Sequence, residues 1–387
     1  MAIAHAAIIG AGMAGLTAGL SLALKGISSD IIEQAPQLGE VGAGLQLSPN
    51  ATRVLDQLDV LADLERHWIE PQSIVLASGT NLRQLAQVPA GSFARMRWGK
   101  PYGVLHRSTL QQALLRAVLS QPLCRLHLGQ RIQGVGADAL EAVTGRRPDL
   151  VVGADGVWSN ARDAIADSPS VSFSGNIAWR FTVDQHKAPS FLSRDGVTAF
   201  LGPKAHLVCY PLREIGGFNL VAIASGAKSD EGWAIEADAA RRAMLLEQFS
   251  GWHSDIRTIL AGAINPTFWP LYQASEGNWQ NGYDTVLIGD AAHAMMPFSA
   301  QGAAMAIEDA YALADHVARA PLPLALSDFE KVRKARASRV KARGDFNRLA
   351  YHARGPIRLG RDIVLSLRSP ERLAADLDWL YGHKIDS

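Results

Sequence analysis

Three short stretches carry residues whose types and spacing suit the recognition of phosphate and sugar. Gly10-Ala11-Gly12-Met13-Ala14-Gly15 sets three glycines in the GxGxxG pattern. The first permits a tight turn, the second lets backbone approach a pyrophosphate, and the third lets a helix pack closely on a strand. A helix opened by such a turn points unpaired N–H groups and its positive dipole end at phosphate. Glu33 follows Gly15 by 18 residues, at the end of an expected strand, where a carboxylate accepts hydrogen bonds from an adenosine ribose. The other two stretches are apolar strands that end in Gly/Asp turns. One runs from Asp149 through Gly153-Ala154-Asp155-Gly156 to Arg162, and the other is Gly289-Asp290-Ala291-Ala292-His293, continuing through Pro297 to Gln301-Gly302-Ala303 and Glu308-Asp309. Carboxylates at strand C-termini stand where ligands bind in open α/β sheets. Taken singly, each aspartate also reads as an N-cap or a turn former.

A second glycine pattern, Gly134-Val135-Gly136-Ala137-Asp138-Ala139, lacks that setting. About ten residues separate it from the expected strand at 149–152, and residues 144–148 read as a turn. No crossover helix fits there, so a loop between strands is expected and the chain holds one dinucleotide fold.

The elements that must position these residues follow from periodicity. Residues 6–9 read as a strand, 10–12 as a glycine turn, 13–25 as a helix and 29–32 as a second strand, a βαβ unit. Residues 6–24 carry no charge and are long enough to suggest a membrane span. Gly10, Gly12 and Gly15 fall where a helix is entered, and only His5 precedes the run as a basic leader. A buried strand and a buried helix explain the apolarity better than a span or a signal peptide. Residues 71–100 look irregular and turn-rich, and a helix resumes at 108–119. From 171 to 279 the pattern alternates, with antiparallel strands expected at 197–201, 207–211 and 219–225. Six of the nine tryptophans lie between Trp158 and Trp279. A strand at 284–288 and a helix at 302–318, with Ile307, Ala310, Ala314 and Val317 on one face, close the pattern.

At 387 residues, two subdomains are expected. A composition 48% hydrophobic and 19% charged suits a globular enzyme, and a net charge of +1 offers no general attraction to nucleic acid or anionic membranes. Cys124 and Cys209 form neither a disulfide framework nor a metal knuckle, and a cytoplasmic location is the simplest expectation. The run 331–343, with seven Lys/Arg, reads as a solvated helix face. His293 is expected to cap or pack against its turn, and no metal is assigned for want of a second ligand at suitable spacing.

The ordered set of glycine turn, Asp155-Gly156 and Gly289-Asp290-Ala291-Ala292-His293 resembles the single-component flavoprotein aromatic hydroxylases. That family includes salicylate hydroxylase, 3-hydroxybenzoate 6-hydroxylase and 6-hydroxynicotinate 3-monooxygenase, and the likeness spans Gly10 to about Tyr351-His352. The resemblance implies an α/β fold. A Rossmann-like FAD-binding domain (residues 1–70, 101–170 and 280–345) would carry an inserted, mainly antiparallel β-sheet substrate domain (71–100 and 171–279) and a C-terminal helical segment (346–387). It further implies FAD bound by Gly10, Gly12 and Gly15, with Glu33 on the adenosine ribose and Arg107 at the ribityl or phosphate region. Asp290 would hold a ribityl hydroxyl, and the turn at Gln301-Gly302-Ala303 would face the flavin ring. Asp155 would serve both FAD binding and the reaction with NAD(P)H, which has no separate domain in this family.

The reaction implied is hydroxylation of a small aromatic substrate by NAD(P)H and O2 through a flavin C4a-hydroperoxide. The protein must position the ring and exclude water. His206 and Tyr210 match a His/Tyr pair of some relatives. Four apart on a strand they share a face, so both could enter one pocket and relay a phenolic proton; ordinary half-buried strand residues are the alternative. The chain departs from several relatives at Ala294, Met295 and Met296, at Phe298 after Pro297, and at Gln46 in Gly42-Ala43-Gly44-Leu45-Gln46. These departures suggest an apolar pocket, rich in Trp and Met, around Gln46, Pro297 and Phe298. A homodimer is compatible with the resemblance. A flavoprotein epoxidase would share every FAD residue, and an NAD(P)-binding protein without oxygen chemistry would leave the Gly289-Asp290 turn unexplained.

Overall fold

The apolar run that opens the chain divides as its glycines require. His5–Ile9 forms a strand buried along its whole length, and Met13–Leu24 forms a helix buried in all but its last residue. This element is apolar all round because a sheet and other helices cover it, which is how a buried segment differs from an amphipathic surface helix. In this computed structural model residues 3–39, 44–132, 134–226 and 235–385 are described. Gly42 and Ala43, quoted with Gln46 above, lie outside the described residues. No helix among the described residues is long and apolar enough to cross a membrane.

Two large sheets organise the molecule. The first has five parallel strands in the order Thr285–Leu287, Leu150–Gly153, His5–Ile9, Ser28–Ile32, Cys124–His127. The second has eight strands and is mostly antiparallel. Its order is Ile235–Glu236, Thr267–Ala274, Val171–Asp184, Gly217–Ser225, Ala205–Leu212, Gly196–Gly202, Ser73–Ser78, Gln84–Pro89. Only the pairing of Gly196–Gly202 with Ser73–Ser78 is parallel. A two-stranded ribbon, Gly44–Leu47 with Gly103–His106, completes the sheets among the described residues. The C-terminal region is helical, led by Leu322–Tyr351 and Gly355–Leu367.

Three expectations need correction. Residues 71–100 are regular: a hairpin of Ser73–Ser78 with Gln84–Pro89, then the helix Ser92–Trp98. The hairpin adds two strands to the distant 171–274 sheet, a long-range pairing that local periodicity does not reveal. The segment after Gly134 is not a loop. Ala137–Thr144 is a two-turn helix, opened at Gly136 and closed by Gly145 in the left-handed region (φ 73). Eight residues sufficed for a connection that had looked too short for a helix.

The third correction concerns the basic run, which is not a solvated face. Arg333 and Arg336 are buried in the Leu322–Tyr351 helix, whereas Lys331, Arg339 and Lys341 are exposed. Helical spacing turns these two arginines, three apart, toward one neighbour.

Candidate active site

Register brings the three chemical turns together. Ile9 pairs with Gly153, and Gly153 with Leu287, so the chain leaves three adjacent parallel strands on one edge. Each glycine of the first turn has a distinct steric reason. Gly10 has φ +101, and a Cβ there would meet the Ala154 carbonyl oxygen at 2.6 Å. A Cβ on Gly15 would stand 1.9 Å from the Gly10 carbonyl oxygen, whereas one on Gly12 would meet nothing within 4 Å. Closed packing at the first and third, with open space at the second, is what a phosphate seated on the Met13–Leu24 helix needs.

The carboxylates border this opening. Glu33 accepts the Ala11 and Ala35 N–H groups, each at 2.9 Å, which fixes it beside the glycine turn. One Asp155 oxygen accepts the Asn160 and Ala161 N–H groups at 2.8 and 3.1 Å; the other, Oδ1, is buried without a hydrogen bond among the described residues. Asp155 is therefore a turn former that keeps one acceptor in reserve. The Asp290 side chain is exposed, while its backbone carbonyl accepts Arg162 at 2.9 Å. Arg107, also exposed, begins the helix Arg107–Ser120. Gly302 and Ala303 begin the 18-residue helix Gly302–Arg319, entered from Ala300 in the left-handed region (φ 52). A non-glycine residue held there costs energy that the surroundings must supply. An orphaned buried acceptor, open space above Gly12 and two helix N-termini fit a dinucleotide such as FAD.

A buried ionic seam lies behind these turns. Arg333 donates to Asp309 at 2.7 Å and to Glu308 at 2.8 Å, and Arg336 donates to Glu308 at 2.8 Å. Asp309 also accepts the Gly289 N–H at 2.9 Å and meets His293 Nε2 at 2.5 Å. Asn50 donates to Glu308 at 2.6 Å and to Gln301 at 3.1 Å, and Gln301 donates to Ser48 at 2.9 Å. The seam thus ties together the Asp290 turn, the start of the Gly302–Arg319 helix and the helix Pro49–Gln57. Burial alone would push the Glu308 carboxyl up, but Arg333 and Arg336 together hold it far below the usual range. Burial would lower His293, yet the Asp309 carboxylate raises it. His293 is an ion-pair partner more than a cap.

A cavity of about 560 Å³ lies between the eight-stranded sheet, the turn Pro297–Ser299 and the C-terminal helices. Gln46, Pro297, Phe298 and His206 all line it, with Ile74, Leu76, Val197, Leu201, Tyr102 and Tyr381. It is largely apolar, but no tryptophan or methionine among the described residues lines it. Trp179 and Trp252 pack in the core on the other side of the sheet, and Met296 packs with Trp269 in a small cluster that meets the cavity only through Phe298 and Tyr351. Tyr102 donates its hydroxyl to Gln46 at 2.6 Å.

His206 and Tyr210 share a strand face, but only His206 reaches the cavity wall. Tyr210 packs against Gly44, where an added Cβ would meet its Cε2 at 2.6 Å. The partner that sequence reasoning missed is His352, whose Nε2 lies 2.9 Å from His206 Nδ1. The His206 ring also stands 5.1 Å from Phe298 and 5.4 Å from Tyr351. Burial, aided by His352, drives the His206 pKa well below 6.5, and burial with Arg348 lowers His352 to about 4. Both imidazoles are neutral at physiological pH. Among the described residues no group of His, Cys, Asp and Glu could hold a metal ion.

Comparison with known proteins gives a consistent picture. Residues 4–340 match the family model described as FAD binding domain. The chain is 33% identical over 386 residues to 3-hydroxybenzoate 6-hydroxylase 1 of Aquipseudomonas alcaligenes, covering 97% of this chain and 96% of that protein. It is 34% identical over 387 residues to a 3-amino-4-hydroxybenzoate 2-monooxygenase of Streptomyces platensis, covering 97% and 95%. Among solved structures, a variant of HpxO from Klebsiella pneumoniae in complex with FAD superposes with a TM-score of 0.83 at 20% identity, over 98% of both chains.

Proposed function

The chain belongs to the FAD-binding-domain family, and from that premise we propose that it is an FAD-dependent monooxygenase that uses NAD(P)H and O2 to hydroxylate a small aromatic acid. The observation that carries this reading is a neutral, buried imidazole set in a largely apolar cavity beside the Pro297–Ser299 turn. That turn leads directly into the helix N-terminus at Gly302. FAD held there would supply the redox chemistry that links NAD(P)H to O2.

The protein's own groups bind, orient and exclude water. Backbone N–H groups around Gly12 would receive the pyrophosphate, Glu33 the adenosine ribose and Asp290 a ribityl hydroxyl. Arg107 is free to meet the ribityl or phosphate region. The reserve oxygen of Asp155 would serve both FAD binding and the approach of NAD(P)H. The N–H groups at Gly302 and Ala303 would hold the anionic edge of the ring system. At the cavity wall, His206 Nε2 would accept the proton of a ring hydroxyl, which makes the ring more electron-rich. For that, Nδ1–H of His206 must donate to His352 Nε2, so His352 fixes the tautomer and orientation of the base. The apolar lining keeps water from the reacting atoms. A cavity of this size suits a single-ring acid. A homodimer and a cytoplasmic location belong to the same reading, the latter supported by two free cysteines, Cys124 and Cys209.

The test is to purify the protein, record its visible spectrum and screen hydroxylated benzoates and pyridine carboxylates. NAD(P)H oxidation, O2 uptake and H2O2 release should be scored together. The expected result is a yellow protein whose NAD(P)H oxidation is accelerated by at least one aromatic acid. A preparation that stays colourless with added FAD contradicts the reading.

A further inference from the structure

The substrate cavity contains three arginines, and their states differ. Arg361 is paired with Asp362 at 2.6 Å and donates to the Ala350 carbonyl at 2.8 Å. Arg368 is paired with Asp376 at 2.6 Å. Arg343 has no carboxylate partner among the described residues, and its Nε is buried without an acceptor. Its guanidinium carbon lies 5.8 Å from the Phe346 ring, and its charge is felt at the Tyr351 and Tyr381 hydroxyls. A second orphan lines the same cavity. Ser299 Oγ is also buried without a partner among the described residues, and a Cβ on Gly344, the residue after Arg343, would lie 3.9 Å from that oxygen. Asn347, one turn further along the same helix, donates to the Phe298 carbonyl at 3.0 Å and fixes the helix to the turn. A buried N–H of a cation and a buried hydroxyl, both unsatisfied, cost stability unless a ligand completes them.

We propose that Arg343 and Ser299 form the anchor for the carboxylate of the aromatic substrate. The inference rests on the hydroxylase reading and deepens it by assigning specificity to these two residues. Arg343 Nε–H and Ser299 Oγ–H donate to the carboxylate oxygens. Phe298 adjoins Ser299 in the chain and faces His206 across 5.1 Å. The anchored ring therefore shares the cavity with the imidazole that takes the phenolic proton. The pairing selects an anionic ring over its neutral analogue, because only the anion neutralises Arg343.

The test uses the oxidised, FAD-loaded protein without NAD(P)H, so a failure of hydroxylation leaves it intact. Equilibrium dissociation constants are measured for a panel of hydroxybenzoates, pyridine carboxylates and the matching carboxamides, in wild type, Arg343→Met, Arg343→Lys and Ser299→Ala. Flavin content per chain reports folding of each variant. The expected result is that wild type prefers an acid over its amide. Arg343→Met should weaken the acid about 10- to 100-fold, the range for a hydrogen bond to a charged group, and move the amide less than about threefold. Arg343→Lys should restore part of the loss, and Ser299→Ala should cost the acid about fivefold. The proposal is overturned if wild type binds no acid of the panel, if acid and amide bind alike, or if Arg343→Met weakens both equally.

Discussion

The ionic seam and the substrate cavity are neighbours built on opposite electrostatic plans. In the seam, Glu308, Asp309, Arg333 and Arg336 are all buried, and every charge has an opposite charge within 3 Å. In the cavity, Arg361 and Arg368 are paired at the wall, but His206 is neutral, and Arg343 Nε and Ser299 Oγ are buried without a partner among the described residues. The contrast teaches where a ligand belongs. Satisfied buried charges make a frame, because removing one leaves another uncompensated; unsatisfied ones mark a surface that a ligand completes.

Breaking the frame should have the largest effect. Arg333→Met leaves Glu308 and Asp309 short of a counter-charge, and we expect a loss of roughly 3–5 kcal/mol in denaturant stability. Flavin content should fall with it, because Asp309 also holds the Gly289 N–H. Unchanged stability would show that the seam is not a frame. In the cavity, His206→Gln is expected to lower kcat about 100-fold, the low end for a lost proton acceptor. Flavin content should not change. A parallel loss of FAD would place His206 with the frame instead.

Acidification sharpens the comparison, since the two regions respond at different pH. His352 has a folded pKa of about 4 against 6.5 unfolded, so the unfolded chain takes the proton first. Stability should therefore fall as pH drops from 6.5 toward 4, by on the order of 2–3 kcal/mol. His352→Gln should flatten that limb in pH-dependent unfolding. Glu308 and Asp309, both depressed, contribute fully above about pH 4.5 and lose that contribution only as pH falls further. His293, raised by Asp309, behaves oppositely and loses its contribution as pH rises above 6.5 through its folded pKa. The smallest effect is expected for Tyr102→Phe. It removes the 2.6 Å bond to Gln46 and should cost about 1 kcal/mol, with a change in substrate KM of less than tenfold.

The parallel sheet and its three turns were legible in the sequence because each is local. Gly10, Gly12 and Gly15 answer to backbone sterics within one βαβ unit, and Asp155 and Asp290 each end an apolar run. The alternation that places His206 on one face of its strand was readable for the same reason. What escaped was non-local. The hairpin at 73–89 pairs with a strand more than a hundred residues away. Arg333 and Arg336 looked like surface charges until Glu308 and Asp309 were found facing them. Arg343 closes the basic run that had read as a solvated face, and His352 follows the same helix with nothing in the local pattern to place it against His206. The tryptophan-rich stretch was misleading, because a strand has two faces and Trp179 and Trp252 occupy the one turned away from the substrate side.

The claim that frame and cavity serve one oxygen transfer is tested most directly with isotopic O2. The enzyme would be turned over with NAD(P)H, 18O2 and the aromatic acid that best accelerates NAD(P)H oxidation, and the product analysed by mass spectrometry. The account predicts one labelled oxygen atom in the hydroxylated ring. Product oxygen derived from water, or NAD(P)H oxidation that yields only H2O2 with every acid tried, would contradict it.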